Sequence, residues 1–376
     1  MEPTIAQNNS NQFLDDILLI ENKLNSVKIP QELQESTQRT INRLKRMASM
    51  GNFSSEFESV DKYVDWITSI PWGKVNPDNL DIDNAKKLMD STHYGMDTVK
   101  NVILDYLAVM KLQQDSGFKQ SQTVEIATLR GNSANAPVML FVGLQGVGKT
   151  SIAKSIALAM GRKYVRVALG AIGSVQVIRG QSKVFPDAEP GQIAKALIRA
   201  GTMNPLILLD EIDKVSGSAG LLGDVMAALL EILDPEQNNH FLDHYVDYPL
   251  DLSQVFFICT ANNLGSLSAA LLDRMEIIRF TSYTDEEKTT IAKSYSLPKV
   301  LKNTGIGNDQ LIIEEAVWPI LVRPVGFDAG LRQLERNIAT MVRSVARKMV
   351  QGEPTPVIIT PDNIRQFVLP DQGPLS

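Results

Sequence analysis

Between residues 138 and 160 the chain runs from an apolar stretch, Val138 to Val142, into Gly143-Leu-Gln-Gly-Val-Gly148-Lys149-Thr150, and then into a helical pattern from Ser151 to Met160. A strand that empties into glycines and then into a helix constrains the whole fold, because the loop must wrap an anion at the helix N-terminus. The spacing is G-x-x-x-x-G-K-[ST], in the strand–loop–helix order that gives the pattern its meaning. Gly143, Gly146 and Gly148 let successive backbone N–H groups curl round a phosphate. Lys149 is placed to neutralise β- and γ-phosphate charge and the Thr150 hydroxyl to hold Mg²⁺, with Ser151 beside them on the first helical turn. The expected ligand is ATP with Mg²⁺.

Four further runs, Tyr164 to Ala168, Leu206 to Leu209, Val255 to Thr260 and Ile277 to Phe280, are short, apolar and separated by helical sequence. With the first strand they predict an α/β fold whose parallel sheet is covered by helices on both faces. The run from Leu206 ends in Asp210-Glu211, where Asp210 is placed to orient the Mg²⁺ shell and Glu211 to polarise an attacking water. Such a pair in isolation also reads as a solvated acidic turn. Asn262 follows the Val255 run, at a strand end where an amide can hold water or γ-phosphate, although Asn there also forms turns. Arg274 precedes the last strand and is either a surface residue or an arginine finger for a neighbouring subunit. Arg332 is placed to approach the γ-phosphate from a late helix, or to pair with Glu335 on its own helix.

The 376 residues exceed one ordinary domain. Residues 1–11 are polar and read as frayed; helical periodicity follows from Gln12 to Val27, from Gln31 with Leu33, Ile41, Leu44 and Met47 on one face, and from Ser55 to Ser69. These helices end at Ile70-Pro71-Trp72-Gly73 and read as a packing or oligomer-contact element. Beyond Tyr283 the pattern is helical to about Val368, apart from Val357-Ile358-Ile359. The polar stretch Gln114 to Ala136 reads as a long loop with a β-hairpin around Val124 to Leu129. Three parts are expected: a helical region at 1–76, a nucleotide-binding α/β domain at 77–282 and an α-helical lid at 283–376.

Charge and composition narrow the function classes. Lys and Arg total 37 against 43 Asp and Glu, a net −6 that argues against nucleic acid as the main partner. The single cysteine, Cys259, excludes an intramolecular disulfide, and the scattered His93, His240 and His244 make no zinc pattern. The first residues lack a basic, then apolar, leader, and no apolar run approaches the roughly 20 residues needed to span a bilayer. A cytoplasmic protein without membrane contact is expected.

Several longer stretches carry a resemblance. His93-Tyr94-Gly95, Gly161-Arg-Lys-Tyr164-Val-Arg, Leu206 to Lys214, Leu229 to Asn238, Leu271 to Arg279 and Ala329-Gly-Leu-Arg332-Gln-Leu-Glu-Arg336 together resemble the ATPase part of the Lon family of AAA+ proteases, from about residue 12 to 369. The resemblance implies a homo-hexameric ring that threads polypeptide substrates through a central pore. It assigns Asn262 as sensor 1, Arg274 as arginine finger and Arg332 as sensor 2, and it places His93, Tyr94, Tyr283 and Ile291 near the adenine. Phe185, within Arg179-Gly-Gln-Ser-Lys-Val-Phe185, matches the aromatic that grips substrate in the pore; a loop aromatic can equally pack within its own loop.

The sequence also departs from the family pattern. Ser174-Val175-Gln176-Val177 stands where charged residues are usual, Pro186-Asp187 where an aliphatic residue and a glycine are usual, and Leu144-Gln145 where two prolines are usual. No segment offers the family's serine–lysine peptidase motif, nor its large N-terminal recruiting domain. The expectation is an ATP-driven unfoldase or remodeller that does not itself cut peptide bonds and can supply a separate peptidase. A nucleotide-dependent assembly scaffold, or an ATPase piece of a longer protease, are the alternatives.

Overall fold

A computed structural model describes residues 3–49, 56–115, 138–170, 173–185, 187–215, 219–323 and 330–368. The hairpin expected around Val124 to Leu129, together with Pro186 and Ser376, lies outside them. Three helices come first, α1 (Pro3–Ser26), α2 (Gln31–Ser49) and α3 (Glu56–Ser69). Helix α1 begins at Pro3, well before the expected start near Gln12: a polar stretch extends an existing helix easily, because each added residue gains one hydrogen bond without repeating nucleation. On α2 the buried positions are Leu33, Thr37, Ile41, Leu44 and Ala48, a stripe recurring every three or four residues, with Ala48 taking the place expected of the half-buried Met47.

Next come α4 (Ile82–Thr92), α5 (Asp97–Asp115), β1 (Val138–Val142), α6 (Lys149–Ala159), β2 (Tyr164–Ala168), α7 (Gln176–Arg179), α8 (Gln192–Ala200), β3 (Leu206–Asp210), α9 (Ala219–Leu233), the hairpin strands β4 (Phe241–Asp243) and β5 (Tyr248–Leu250), β6 (Phe256–Ala261), α10 (Ala269–Leu272) and β7 (Met275–Arg279). The five long strands pair in parallel in the order β2-β3-β6-β1-β7. Their alternation decides which layer each side chain joins. Val138, Leu140 and Val142 face one core with the buried residues of α1–α3, α8 and α9, while Met139 and Phe141 face the other with α4, α5 and α6. Helices α1–α3 therefore share their core with one sheet face. Ile17, Leu24, Ile41, Leu44 and Ile67 are all at most 1% exposed, and burying each such side chain contributes about 1.5–3 kcal/mol.

The C-terminal part is a separate cluster: α11 (Asp285–Ile291), a π turn at Ala292–Ser296, α12 (Leu297–Thr304), β8 (Leu311–Ile313), α13 (Val317–Val322), α14 (Arg332–Val350) and β9 (Val357–Ile359). Strand β9 pairs in parallel with β8, a partner the helical reading of this region did not supply. Three apolar residues are too few for periodicity to separate strand from helix.

The order β2-β3-β6-β1-β7 puts β6 between β1 and β3, so the carboxyl ends of three parallel strands open on one edge. Ligands of open α/β sheets bind at such an edge.

Candidate functional site

Strand β1 delivers the glycine loop, and α6 starts at Lys149 with Gly148 as its N-cap in a left-handed conformation, φ 97°. No L side chain adopts that φ without strain, and a Cβ there would lie 2.7 Å from Met96 Cε. Lys149 is buried, and its Nζ donates to the Gly143 carbonyl, to Leu144 O at 3.0 Å and to Asn262 Oδ1 at 3.1 Å. Burial lowers its pKa; the nearby Asp210, Asp213 and Glu211 oppose that, and Arg332 adds to it.

Asp210 ends β3 and is 5% exposed. Its carboxylate accepts from Thr260 Oγ1 on β6 and from Arg166 Nε on β2 at 2.6 Å. Glu211 turns the chain out of the strand with φ 59°, ψ 50°, an outlying conformation for a non-glycine residue. Its N–H donates to Thr260 Oγ1 at 2.9 Å, and its carboxylate pairs with Lys214 at 2.7 Å. Thr260 thus hydrogen-bonds to both members of the acidic pair. Asp213 Oδ2 accepts the N–H groups of Asn262 and Asn263 at 3.0 and 3.1 Å and so fixes the exit of β6. Sequence reasoning missed Thr260 and Asp213; the available signals were a hydroxyl at the end of an apolar strand and a second Asp three positions after Asp210.

The C-terminal part closes on the loop from the other side. Leu331 N–H donates to Gly146 O at 3.0 Å, and Arg332 Nη1 reaches Gln145 Oε1 at 3.4 Å. Arg332 therefore points toward the glycine loop. Tyr283 OH donates to Val147 O at 2.9 Å, and Tyr295 OH to Asp90 O at 3.0 Å. His93 Nε2 lies 2.9 Å from Ser151 Oγ; burial, with Lys100 and Lys299, pushes its pKa down to about 4, so it is neutral at pH 7. Tyr94 is exposed, and Ile291 is buried at the end of α11. The structure thus brings Lys149, Asp210, Glu211, Asn262, Arg332, His93, Ser151 and Tyr283 to one strand edge or onto its loop.

Two of the expected residues stand elsewhere. Arg274 is engaged within its own chain, with Nε 3.1 Å from Asp234 Oδ2 and Nη1 donating to Ala270 O. Phe185 is 63% exposed beside Val184 at 81%, so its ring does not pack into its loop.

The cradle fits a nucleotide. Its loop N–H groups sit at a helix N-terminus, and a buried lysine faces them. The Thr150 hydroxyl and the Asp210 carboxylate offer the hard oxygens that Mg²⁺ prefers. Asp210 already stabilises a cation, Arg166, at the same carboxylate. A parallel sheet with this strand order and loop is that of an AAA-type P-loop ATPase, and residues 139–283 match the model of the ATPase family associated with various cellular activities. Residues 302–357 match the Lon protease AAA+ ATPase lid domain. The chain is 44% identical over 348 residues to Lon protease 2 of Thermus thermophilus, covering 93% of this chain and 42% of that protein. It is 40% identical to Lon protease of Lawsonia intracellularis, covering 94% and 40%, and 40% identical to the mitochondrial Lon protease homolog of mouse, covering 86% and 32%. The chain belongs to the Lon family of AAA+ proteins. It spans about two fifths of the length of the first two of these relatives.

Proposed function

We propose that this chain is the ATP-hydrolysing motor of a Lon-type machine, which converts hydrolysis into movement of an unfolded polypeptide through a hexameric ring. The carrying observation is the strand edge where Lys149, Asp210, Glu211 and Asn262 meet while Arg332 approaches from the lid. In this reading Lys149 exchanges two carbonyl partners for phosphate oxygens, a gain because an anionic acceptor makes the stronger hydrogen bond. Glu211 polarises the attacking water, Asn262 orients it, and Arg332 reports the γ-phosphate to the lid. Thr150 and Asp210 hold Mg²⁺, which supplies charge neutralisation at the phosphates. His93, Tyr94, Tyr283 and Ile291 flank the base, with Gly143, Gly146, Gly148 and Ser151 shaping the loop. Arg274 leaves Asp234 to serve a neighbour's nucleotide. Phe185 grips substrate. The working units are 1–76, 77–282 and 283–376, and no peptide-bond cleavage is assigned to them.

Two substitutions separate binding from hydrolysis. Lys149→Ala is expected to abolish measurable nucleotide binding and ATP turnover. Glu211→Gln is expected to lower turnover at least about a hundredfold, the weight of a general base, while ATP affinity is retained. Wild-type protein that binds no ATP by calorimetry would sink the reading.

A further inference from the structure

Residues 179–185 and 187–191 belong to a loop whose neck is closed and whose tip, at Val184 and Phe185, is open. At the neck, Gln181 N–H donates to Glu189 O at 3.2 Å, and a Cβ on Gly191 would lie 1.9 Å from Ile178 O. Asp243 in the β4–β5 hairpin is fully buried; its Oδ2 accepts Gly191 N–H at 2.8 Å and its Oδ1 accepts the N–H groups of Tyr245 and Val246 at 2.9 and 3.1 Å. His244 N–H donates to Arg179 O at 2.7 Å. The hairpin therefore grips both ends of the loop. These bonds fix the base and leave the direction of the tip to something else.

That something is α3. Its buried side, with Val64 and Ile67, faces the shared core, and Lys62, Tyr63 and Trp66 meet the loop and the helix after it. Tyr63 OH donates to Val246 O at 2.8 Å, which holds the ring on the hairpin. Lys183, two residues before Phe185, places its Nζ 4.6 Å from the centre of that ring and 3.2 Å from Asp247 Oδ2. On the other limb Glu189 pairs with Lys195 at 2.5 Å and lies 3.8 Å from Lys62. Lys195 Nζ in turn lies 5.6 Å from the Trp66 ring centre. Both limbs of the loop are thus held from one helix face, and Val184 and Phe185 are left in solvent.

We propose that helix α3 is the seat of the Phe185 loop, with Tyr63 and Lys183 as positioning residues that aim the tip at substrate. This rests on the reading of Phe185 as the substrate-gripping residue and gives the N-terminal helices a task beyond packing.

The test uses the full chain with Lys183→Met, which keeps the aliphatic stem of a partly exposed residue, and Tyr63→Leu, which removes the ring. Amide exchange of residues 182–185 is measured alongside ATPase stimulation by β-casein, with Phe185→Ala as reference. In Lys183→Met the exchange is expected to rise about threefold, the weight of one partly exposed cation–π contact, and β-casein stimulation to fall by a similar factor. Nucleotide affinity and unstimulated ATPase stay at wild-type values. Tyr63→Leu is expected to exceed both effects. Unchanged exchange in Lys183→Met overturns the seat, and so does faster exchange with full stimulation while Phe185→Ala has lost it. Full stimulation in Phe185→Ala instead overturns the substrate-gripping reading, and the exchange result then judges the seat alone.

Discussion

At the strand edge, Lys149 and Asp210 are buried, and each of the polar side chains Lys149, Asp210, Thr260 and Asp213 bonds to the end of another strand or the loop that leaves it. At the Phe185 loop the tip is exposed, and its restraints lie to either side of it: three ion pairs (Lys183 with Asp247, Glu189 with Lys195 and with Lys62), two cation–π contacts, and at the neck one buried carboxylate with two main-chain bonds. Buried hydrogen bonds cost much when broken and so hold geometry tightly; exposed cationic contacts are weak and allow small rearrangements. On the proposed function, the site that stabilises developing charge needs the first, and the loop that meets many polypeptide sequences is served by the second.

The sharpest way to break this contrast is Asp243→Ala, which leaves the N–H groups of Gly191, Tyr245 and Val246 buried without their acceptor. A loss of about 3 kcal/mol or more in unfolding free energy is expected by urea titration. A loss as small as a surface substitution gives would mean the neck is not held as described. Thr260→Val keeps the shape of the strand but removes the bonds to Asp210 and to Glu211 N–H. A cost of roughly 1–3 kcal/mol in stability is expected, with kcat falling more than ATP affinity, since the acidic pair loses its alignment.

A pH series sharpens the cleft side of the comparison. The folded-state pKa of His93 is about 4 against an ordinary 6.5, so between those values the unfolded chain binds a proton that the folded one refuses. His93's contribution to stability is therefore constant above pH 6.5 and declines as pH falls toward 4. Melting temperatures from pH 7.5 to 5 should fall less steeply in His93→Gln than in the wild type. The smallest effect belongs to Phe185→Ala, where a change within about 0.5 kcal/mol is expected because the ring is largely solvated. A larger loss would show that the tip contributes to the fold.

The inner strands β1, β3 and β6 were legible because both their faces are buried, which leaves unbroken apolar runs between helical stretches; the edge strands β2 and β7 are buried only in part and carry Arg166, Glu276 and Arg279, so their place between helical stretches marked them instead. The glycine loop was legible because its backbone demands leave few residue choices. What escaped was set by closeness in space. Thr260 meets Glu211 across 49 residues, and Tyr63 meets Val246 across 183. No local pattern announces which hydroxyl will find which acceptor. The β8–β9 pair escaped because three-residue strands have no period to read, and the placement of Arg332 because either partner lay within reach of a helical arginine.

The bond from Leu331 N–H to Gly146 O couples the lid to the glycine loop through main chain alone. At Leu331 any residue but proline keeps the donor, whereas Gly146, at φ 83° and with Leu331 N 3.4 Å from where a Cβ would stand, must stay glycine for the tether to keep its acceptor in place. On the proposed function the tether makes the two parts a lever and its fulcrum: a rotation of α14 would pull on the glycine-loop backbone, and a ligand that reshaped the loop would push the helix in return.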